Sequence, residues 1–186
     1  MKFKITLKID RKHGDLLPFN YQYEQSAVIY RILAQADTQY SSWLHENGYL
    51  LHERKRFKLF CYSPFIFEKV RPLPEAGCLK IIGERAVWSI SFIPEKSTLE
   101  FIQGIFAHQS FSIGNKKYQV AFDVVGVEAI SMPQLTEQMA FQAMSPICVK
   151  LHEDNKTQYL SPDNPMFADG ILKGLMARYE SIHGQP

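Results

Sequence analysis

Three side chains in the first third of the chain have the types that metal-free acid–base chemistry requires. They are Tyr30, His45 and Lys58. A histidine titrates near neutral pH and can serve as an acid or a base. A tyrosine is a poor base unless a nearby cation lowers its pKa. A lysine can supply that cation, or it can stabilise negative charge that develops during a reaction.

Each of these residues also has an ordinary structural interpretation. Tyr30 can flank the apolar stripe of a helix, His45 can interact with carbonyl groups at a helix end, and Lys58 can be a solvated lysine where a strand begins. Spacing alone favours the structural interpretation for Tyr30 and His45. A functional interpretation therefore needs support from the surrounding sequence.

Composition limits the class of protein. The 186 residues are 46% hydrophobic and 22% charged with a net charge of +2, which is typical of a soluble globular protein. No apolar run reaches the 18 residues of a membrane span, and the N-terminus lacks the apolar core of a signal peptide. We therefore expect a cytoplasmic protein without a membrane partner.

Metal and cofactor motifs are absent from the sequence. The three cysteines are far apart and form no C-x-x-C pair, which argues against a zinc site and a disulfide framework. There is no glycine-rich phosphate loop, no acidic cluster for a two-metal site and no H-E-x-x-H motif. We expect neither a cofactor nor a metal.

The elements that must position these side chains follow from residue periodicity. Strict alternation predicts a strand over Lys2–Ile9, with its lysines on the face opposite Phe3, Ile5, Leu7 and Ile9. Residues Asp10–Pro18 read as a loop. Helical spacing predicts helices over Gln22–Ala36 and Tyr40–Glu46.

The pattern after these helices predicts a strand, a hairpin, one more helix and a final strand. We expect a strand over Phe57–Val70, broken at Ser63-Pro64, and a hairpin over Gly77–Ile93 that turns at Gly83-Glu84. A helix opens at Pro94-Glu95, and we expect its apolar face to consist of Leu99, Ile102 and Phe106. A strand over Lys117–Val127 follows. The order β-α-β-β-α-β is that of an α+β, ferredoxin-like domain with both helices on one face of an antiparallel sheet.

A second, partial domain is predicted after the first. We place the ferredoxin-like domain at 1–131, a linker at 132–138 and the partial domain at 139–186. In the last segment we expect a strand over Met144–Leu151 and a helix from Asp163-Asn164-Pro165, the first β-α of a second ferredoxin-like domain. A lone strand and helix cannot bury their apolar faces. We therefore expect either a truncated two-domain protein or docking of this tail on the first domain or another chain.

Five segments give the sequence its resemblance to a known family. They read LPFNYQY at 17–23, IY at 29–30, WLHE at 43–46, KLFCYS at 58–63 and SPICV at 145–149. Together they resemble the CRISPR repeat-processing endoribonucleases of the RAMP superfamily, which are tandem ferredoxin-like proteins. Members carry a glycine-rich, RNA-contacting loop late in the second domain, and this chain ends before that point, so we expect a C-terminally truncated member.

The resemblance implies a function in antiviral defence. Members cut precursor RNA into guide RNAs without metal: the ribose 2′-OH attacks the adjacent phosphate and leaves a 2′,3′-cyclic phosphate and a 5′-OH. The family's catalytic tyrosine, histidine and lysine fall on Tyr30, His45 and Lys58. We assign His45 as the acid, Tyr30 as the base or as a group that positions the 2′-OH, and Lys58 as the stabiliser of the phosphorane. His52 is a possible substitute acid.

The partner implied is CRISPR repeat RNA. Candidate phosphate contacts are the basic residues Arg54, Lys55, Arg56, Lys2 and Lys4, each of which also has an interpretation as a solvated side chain. Subunits of a guide-RNA effector complex and a second copy of the chain are further candidate partners. Two alternatives stay open: a non-catalytic guide-RNA-binding or scaffold subunit, and an unrelated ferredoxin-like regulatory domain that dimerises through its sheet.

Overall fold

The structure, a computed structural model, describes residues 1–51, 55–153 and 156–184. Contacts between Cα atoms divide the chain into two compact units. The first consists of Met1–Glu46 and Phe60–Glu137, and the second of Asn47–Leu59 and Gln138–Pro186. None of the helices in the described ranges combines the length and hydrophobicity that a membrane span requires. Two predicted functional residues, His52 and Arg54, lie outside the described residues.

The units are built from four α-helices and thirteen strands in the described residues, with short 3₁₀ turns at Arg11–His13 and Pro74–Ala76. In chain order these are β1 (Lys2–Asp10), β2 (Leu16–Pro18), α1 (Gln22–Ala36), α2 (Thr38–Glu46), β3 (Tyr49–Leu51), β4 (Lys55–Phe57), β5 (Phe60–Tyr62), β6 (Ile66–Phe67), β7 (Val70–Leu73), β8 (Cys78–Ile81), β9 (Arg85–Phe92), α3 (Glu95–Ala107), β10 (Ser110–Gly114), β11 (Gln119–Ile130), β12 (Val149–Glu153), β13 (Lys156–Leu160) and α4 (Met166–His183). The predicted mixture of helices and strands in antiparallel sheets is confirmed.

The main sheet of the first unit has the strand order β10-β11-β1-β9-β5, and β6 also pairs with β9. Every neighbouring pair is antiparallel. The central strand β1 confirms the predicted alternation, since its apolar side chains Phe3, Ile5, Leu7 and Ile9 are all buried. Burial of such side chains is the main favourable term in folding. The core that they form also contains Trp88, Phe92, Phe101 and Phe122.

The predicted hairpin over Gly77–Ile93 is wrong. Strand β8 pairs with β2 and β7 in a separate three-stranded sheet, whereas β9 lies in the main sheet. The segment between them has other partners: the Arg11 guanidinium donates hydrogen bonds to the carbonyl oxygens of Ile82 (2.6 Å) and Gly83 (3.0 Å). The expected loop over Asp10–Pro18 likewise contains β2, because Leu16–Pro18 finds its hydrogen-bonding partner in β8.

The predicted apolar face of α3 is also wrong. Leu99 and Phe106 are 54% and 59% exposed, and the buried face carries Ser97, Thr98, Phe101, Gly104 and Ile105 instead. Gly104 explains the rotation, since a Cβ atom at this position would lie 1.8 Å from the carbonyl oxygen of Ile32 in α1. Only glycine permits this close approach of two helix backbones.

The second unit contains two hairpins, β3-β4 and β12-β13, and the helix α4. The predicted strand over Met144–Leu151 is wrong at its start, because the observed strand β12 starts at Val149. Strand β13 was not expected, and the order of β12, β13 and α4 is therefore β-β-α. The helix was expected, and three of its large apolar side chains, Leu172, Leu175 and Tyr179, are more than half exposed. A Cβ atom at Gly170 would lie 2.4 Å from Cγ1 of Val149 in β12, so α4 and β12 pack closely at this glycine.

The predicted strand over Phe57–Val70 starts three residues too early for the main sheet. Phe57 pairs with Tyr49 in the second unit, and the main-sheet strand β5 starts at Phe60. Leu59, between these strands, has a left-handed backbone (φ 56°), a conformation that a leucine rarely adopts. The break near Ser63-Pro64 is confirmed, since residues 63–65 separate β5 from β6.

Candidate active site

Helices α1 and α2 of the first unit carry Tyr30 and His45. Their relative position is fixed by the short connection at Asp37, where the α1 helix ends and the α2 helix begins. The Asp37 carboxylate accepts a hydrogen bond from the backbone N–H of Tyr40 (2.8 Å), which is the bond of a helix N-cap. That hydrogen bond is the main cause of the lowered pKa of Asp37, and the Lys96 ammonium, 3.3 Å from the Asp37 carboxylate, lowers this pKa further. The Ser41 hydroxyl also donates to the Tyr30 carbonyl oxygen (2.8 Å) and so ties α2 to α1.

The structure brings the Tyr30 and His45 rings into contact. Their centroids are 4.9 Å apart and their planes are nearly perpendicular, at 82°. This edge-to-face arrangement is a favoured geometry for aromatic pairs. Tyr30 is half-buried and His45 is exposed, so the pair lies at the surface with the imidazole accessible to a ligand.

Phe60 and Tyr62 of β5 complete the surroundings of Tyr30. The Phe60 ring lies 5.7 Å from the Tyr30 ring and 6.3 Å from the Tyr62 ring. Sequence reasoning did not assign these residues to the site. Alternation within β5 was the available signal, because it puts residues 60 and 62 on one side of the strand.

The pKa of Tyr30 is raised, chiefly because burial disfavours the charged phenolate and secondly because of the neighbouring Tyr62. The Tyr30 hydroxyl therefore keeps its proton at neutral pH and is a hydrogen-bond donor there. The lowered pKa that a tyrosine base would need is not found. Of the two roles considered for Tyr30, the positioning role fits this chemistry better.

Lys58 belongs to the second unit, directly after β4. Its side chain is half-buried, and its pKa is lowered first by burial and then by the charge of Arg56. Gly48 makes room for it: a Cβ atom there would lie 3.2 Å from Cδ of Lys58 and 2.6 Å from the Phe57 carbonyl oxygen. The predicted trio is thus carried by two units, with Tyr30 and His45 together in the first.

The predicted RNA-binding residues have different surroundings. Lys2 and Lys55 are exposed, whereas the Lys4 ammonium lies 3.3 Å from the Glu128 carboxylate. The Arg56 guanidinium donates a hydrogen bond to the Asn47 side chain (3.2 Å). Within the part of the chain that the structure describes, no three His, Cys, Asp or Glu side chains are grouped so that they could hold a metal ion.

Comparison with known proteins places this geometry in a family context. The family model described as CRISPR-associated protein Cas6, N-terminal, matches residues 16–122, and the one described as CRISPR associated protein Cas6, C-terminal, matches residues 130–186. The CRISPR-associated endoribonuclease Cas6 1 of Methanocaldococcus jannaschii is 25% identical over 187 residues, which cover 98% of this chain and 67% of that protein.

Two solved structures resemble the fold along the whole chain. The first, described as a Cas6-related gene product from Pyrococcus furiosus, has a TM-score of 0.79 at 24% identity. The second, described as an RAMP protein binding different RNA substrates, has a TM-score of 0.77 at 24% identity. Each match covers 100% of this chain and 72% of the other. With family models matching both its N-terminal and its C-terminal parts, this chain belongs to the CRISPR-associated Cas6 family.

Proposed function

We propose that this protein is an endoribonuclease that cleaves CRISPR precursor RNA within its repeats by a metal-independent, 2′-OH transesterification. The observation that carries the proposal is the contact between the Tyr30 and His45 rings in a chain of the Cas6 family. Two relatives support it: one is named an endoribonuclease, and the other is described as binding RNA substrates.

The reaction breaks one phosphorus–oxygen bond and forms another. The 2′-oxygen attacks the adjacent phosphorus, the bond to the 5′-oxygen breaks, and the products are a 2′,3′-cyclic phosphate and a 5′-OH. The exposed His45 imidazolium donates a proton to the leaving 5′-oxygen. The Tyr30 hydroxyl positions the 2′-OH through a hydrogen bond, and the 2′-OH proton passes to water. The Lys58 ammonium stabilises the charge of the phosphorane.

Contacts to RNA phosphates are assigned to exposed basic side chains in both units. Lys2 on β1 and Lys55 on β4 carry accessible charges, and Arg56 and Lys4 add two more. Each such contact makes binding sensitive to salt, because it releases counterions from the RNA. CRISPR repeat RNA is the partner that we propose for these residues.

A tandem ferredoxin-like organisation accompanies this function. The order β11-β1-β9-β5 in the main sheet, with antiparallel pairing throughout, supports the proposed topology for the first unit. The helices α1 and α3 pack against each other at Gly104, as two helices on one sheet face would.

Cleavage of labelled repeat RNA in excess chelator tests the proposed function. We expect the full chain to cut at one position, and we expect a 2′-deoxy substitution at that position to abolish cutting. His45→Ala should lower the single-turnover rate by about 10²–10⁴, the usual contribution of a general acid. Undiminished cleavage by His45→Ala would overturn the assignment.

A non-catalytic guide-RNA-binding subunit is the second candidate. The raised pKa of Tyr30 favours it, because without a phenolate base the cleavage reaction must pass the 2′-OH proton to water. The same experiment separates the two. Tight binding of repeat RNA without any cleavage, with ribose and 2′-deoxy substrates behaving alike, would select the binding subunit.

A further inference from the structure

The second unit contains a cavity of about 340 Å³. It lies between the helix α4 and the hairpin β12-β13, with two residues of β4 at its side. Its lining residues all belong to this unit, and they include Phe57, Met166, Asp169 and the lysines Lys55, Lys150 and Lys173. This volume falls within the range of pockets that bind small organic groups.

One part of the cavity wall is apolar and held in place. It is formed by Phe57 and by aliphatic side chains from β12, β13 and the start of α4. The Arg178 guanidinium lies 5.2 Å from the centre of the Phe57 ring and donates a hydrogen bond to the Gly174 carbonyl oxygen (2.7 Å). These contacts orient the aromatic ring before any ligand arrives. A flat apolar group is the complement of such a wall.

The other part of the wall is charged, with three lysines and one carboxylate. The Lys150 ammonium lies over the Tyr159 ring at 5.4 Å. Among the described residues, no carboxylate forms an ion pair with Lys55, Lys150 or Lys173. Asp169 is the single acidic side chain of the lining. The cavity is therefore suited to a ligand with a flat apolar body, anionic oxygens and a hydrogen-bond donor.

We propose that this cavity binds one nucleotide of single-stranded RNA, an inference that rests on the proposed function. The base packs against Phe57 and its apolar neighbours, as bases do on the aromatic platforms of single-strand-binding proteins. Asp169 accepts a hydrogen bond from an amino or imino group of that base, as acidic side chains do with cytosine. The lysines Lys150 and Lys173 contact the flanking phosphates.

A charge-removing variant tests the phosphate contacts in a background in which cleavage is expected to be slow. Repeat RNA is titrated onto full-length His45→Ala protein and onto the same protein with Lys173→Ala added, at several salt concentrations. We expect Lys173→Ala to reduce the salt slope by about 0.7 and to weaken binding about fivefold at 0.1 M salt, since one single-strand phosphate contact contributes about that slope. The matched control is Lys156→Ala, an exposed lysine of the same unit outside the cavity, which should leave both values unchanged.

Photocrosslinking locates the base directly. Repeat RNA carrying 4-thiouridine at successive positions is irradiated with the protein, and the attached peptides are identified by mass spectrometry. We expect one RNA position to attach to the segment with Phe57 or Met166, and we expect Asp169→Asn to change the preferred base at that position. The mononucleotide alone should bind at least 100-fold more weakly, because one nucleotide lacks the neighbouring contacts.

The outcomes separate this inference from the proposed function. A protein that does not cut RNA but attaches it at Phe57 or Met166 would refute the endoribonuclease and keep the cavity assignment. Attachment only elsewhere, or equal effects of Lys173→Ala and Lys156→Ala, would overturn the cavity assignment whether or not the protein cuts. A mononucleotide that binds as tightly as the RNA would identify a free nucleotide as the ligand and overturn it too.

Discussion

The Tyr30 hydroxyl is the group whose protonation most constrains the proposed mechanism. Burial and the neighbouring Tyr62 raise its pKa, so the neutral phenol persists through the physiological range. A hydroxyl that keeps its proton can orient the attacking ribose oxygen, but it cannot remove a proton from it. Its ring has a separate structural task, since it contacts both His45 and Phe60.

Replacing Tyr30 by phenylalanine separates these two tasks. Tyr30→Phe keeps the ring contacts, so we expect the free energy of unfolding to change by less than about 0.5 kcal/mol. The single-turnover cleavage rate should fall by about 10–100-fold, because the lost hydrogen bond is worth about 1.5–3 kcal/mol in the reacting complex. Urea denaturation and cleavage assays measure the two quantities.

The pH dependence of the same variant tests the role of the hydroxyl. If Tyr30 only positions the 2′-OH, the variant and the wild-type protein should have rate–pH profiles of the same shape between pH 6 and pH 9. A base with a lowered pKa would instead give the wild type a rising limb that Tyr30→Phe lacks. That limb, if seen, would contradict the assignment.

At the scale of the elements, the α1–α2 connection decides where His45 lies. Asp37→Ala removes the cap of α2, and we expect it to lower the melting temperature at pH 6, whereas Asp37→Asn should retain most of the stability because asparagine is also a good N-cap. The lowered pKa of Asp37 gives the sign of the pH effect. Its stabilising contribution is present above the unfolded-state pKa of 3.8 and is lost as pH falls through the lower folded-state pKa.

Thermal unfolding of the three proteins at pH 6 and pH 2.5 measures this contribution. The difference in melting temperature between the wild type and Asp37→Ala should shrink at the lower pH, where a larger fraction of the carboxylate is protonated than at pH 6. A difference that stays constant would show that the charge of Asp37 does not contribute.

The contact between α1 and α3 carries a second prediction at this scale. Gly104→Ala would put a methyl group against the Ile32 carbonyl oxygen, so the helices must separate, and we expect a loss of about 3 kcal/mol in the free energy of unfolding. Gln103→Ala, an exposed change in the same helix, should stay within about 0.5 kcal/mol of the wild type. Urea denaturation at 25 °C compares them, and equal stabilities would contradict the close-packing argument.

The periodicity of apolar residues was sufficient to predict those helices and strands that bury a single face in the core. The α1 helix was predicted at Gln22–Ala36, its observed bounds, and the buried residues of β1 followed from alternation. The same periodicity failed where a residue distant in the sequence determines how a segment pairs or which face of a helix is buried. Nothing in Gly77–Ile93 indicates that Arg11 will bind the turn, and the apolar residues of α3 do not reveal that Gly104 must face α1.

In the candidate site, too, the sequence indicated which residues are involved but did not indicate the tertiary contacts between them. The residue types of Tyr30 and His45 indicated what they can do, and the family resemblance selected them from other tyrosines and histidines. Their ring contact depends on the angle between α1 and α2, which Asp37 and Ser41 fix by hydrogen bonds. The neighbours Phe60 and Tyr62 come from β5, and their approach to Tyr30 is a tertiary contact that alternation alone does not specify.

At the scale of the whole molecule, a net charge of +2 provides little general attraction for RNA. The proposed affinity for RNA must therefore come from the local placement of basic side chains, and one proposed place is the outer face of β1. There Lys2 is exposed, but the Lys4 ammonium is paired with Glu128 on the neighbouring strand β11. An exposed ion pair of this kind contributes little stability.

Removing the acidic partner should therefore strengthen RNA binding at little cost to the fold. In Glu128→Gln, the Lys4 ammonium becomes available to a phosphate, and we expect the salt slope of repeat-RNA binding to steepen by up to about 0.7, with affinity about fivefold higher at 0.1 M salt. Glu84→Gln makes the same change in net charge at an exposed turn of the first unit, and it should have a smaller effect. Equal gains from both variants would show that net charge, and not the position of Lys4 on the sheet, governs binding, and they would remove the outer face of β1 from the proposed RNA-binding surface.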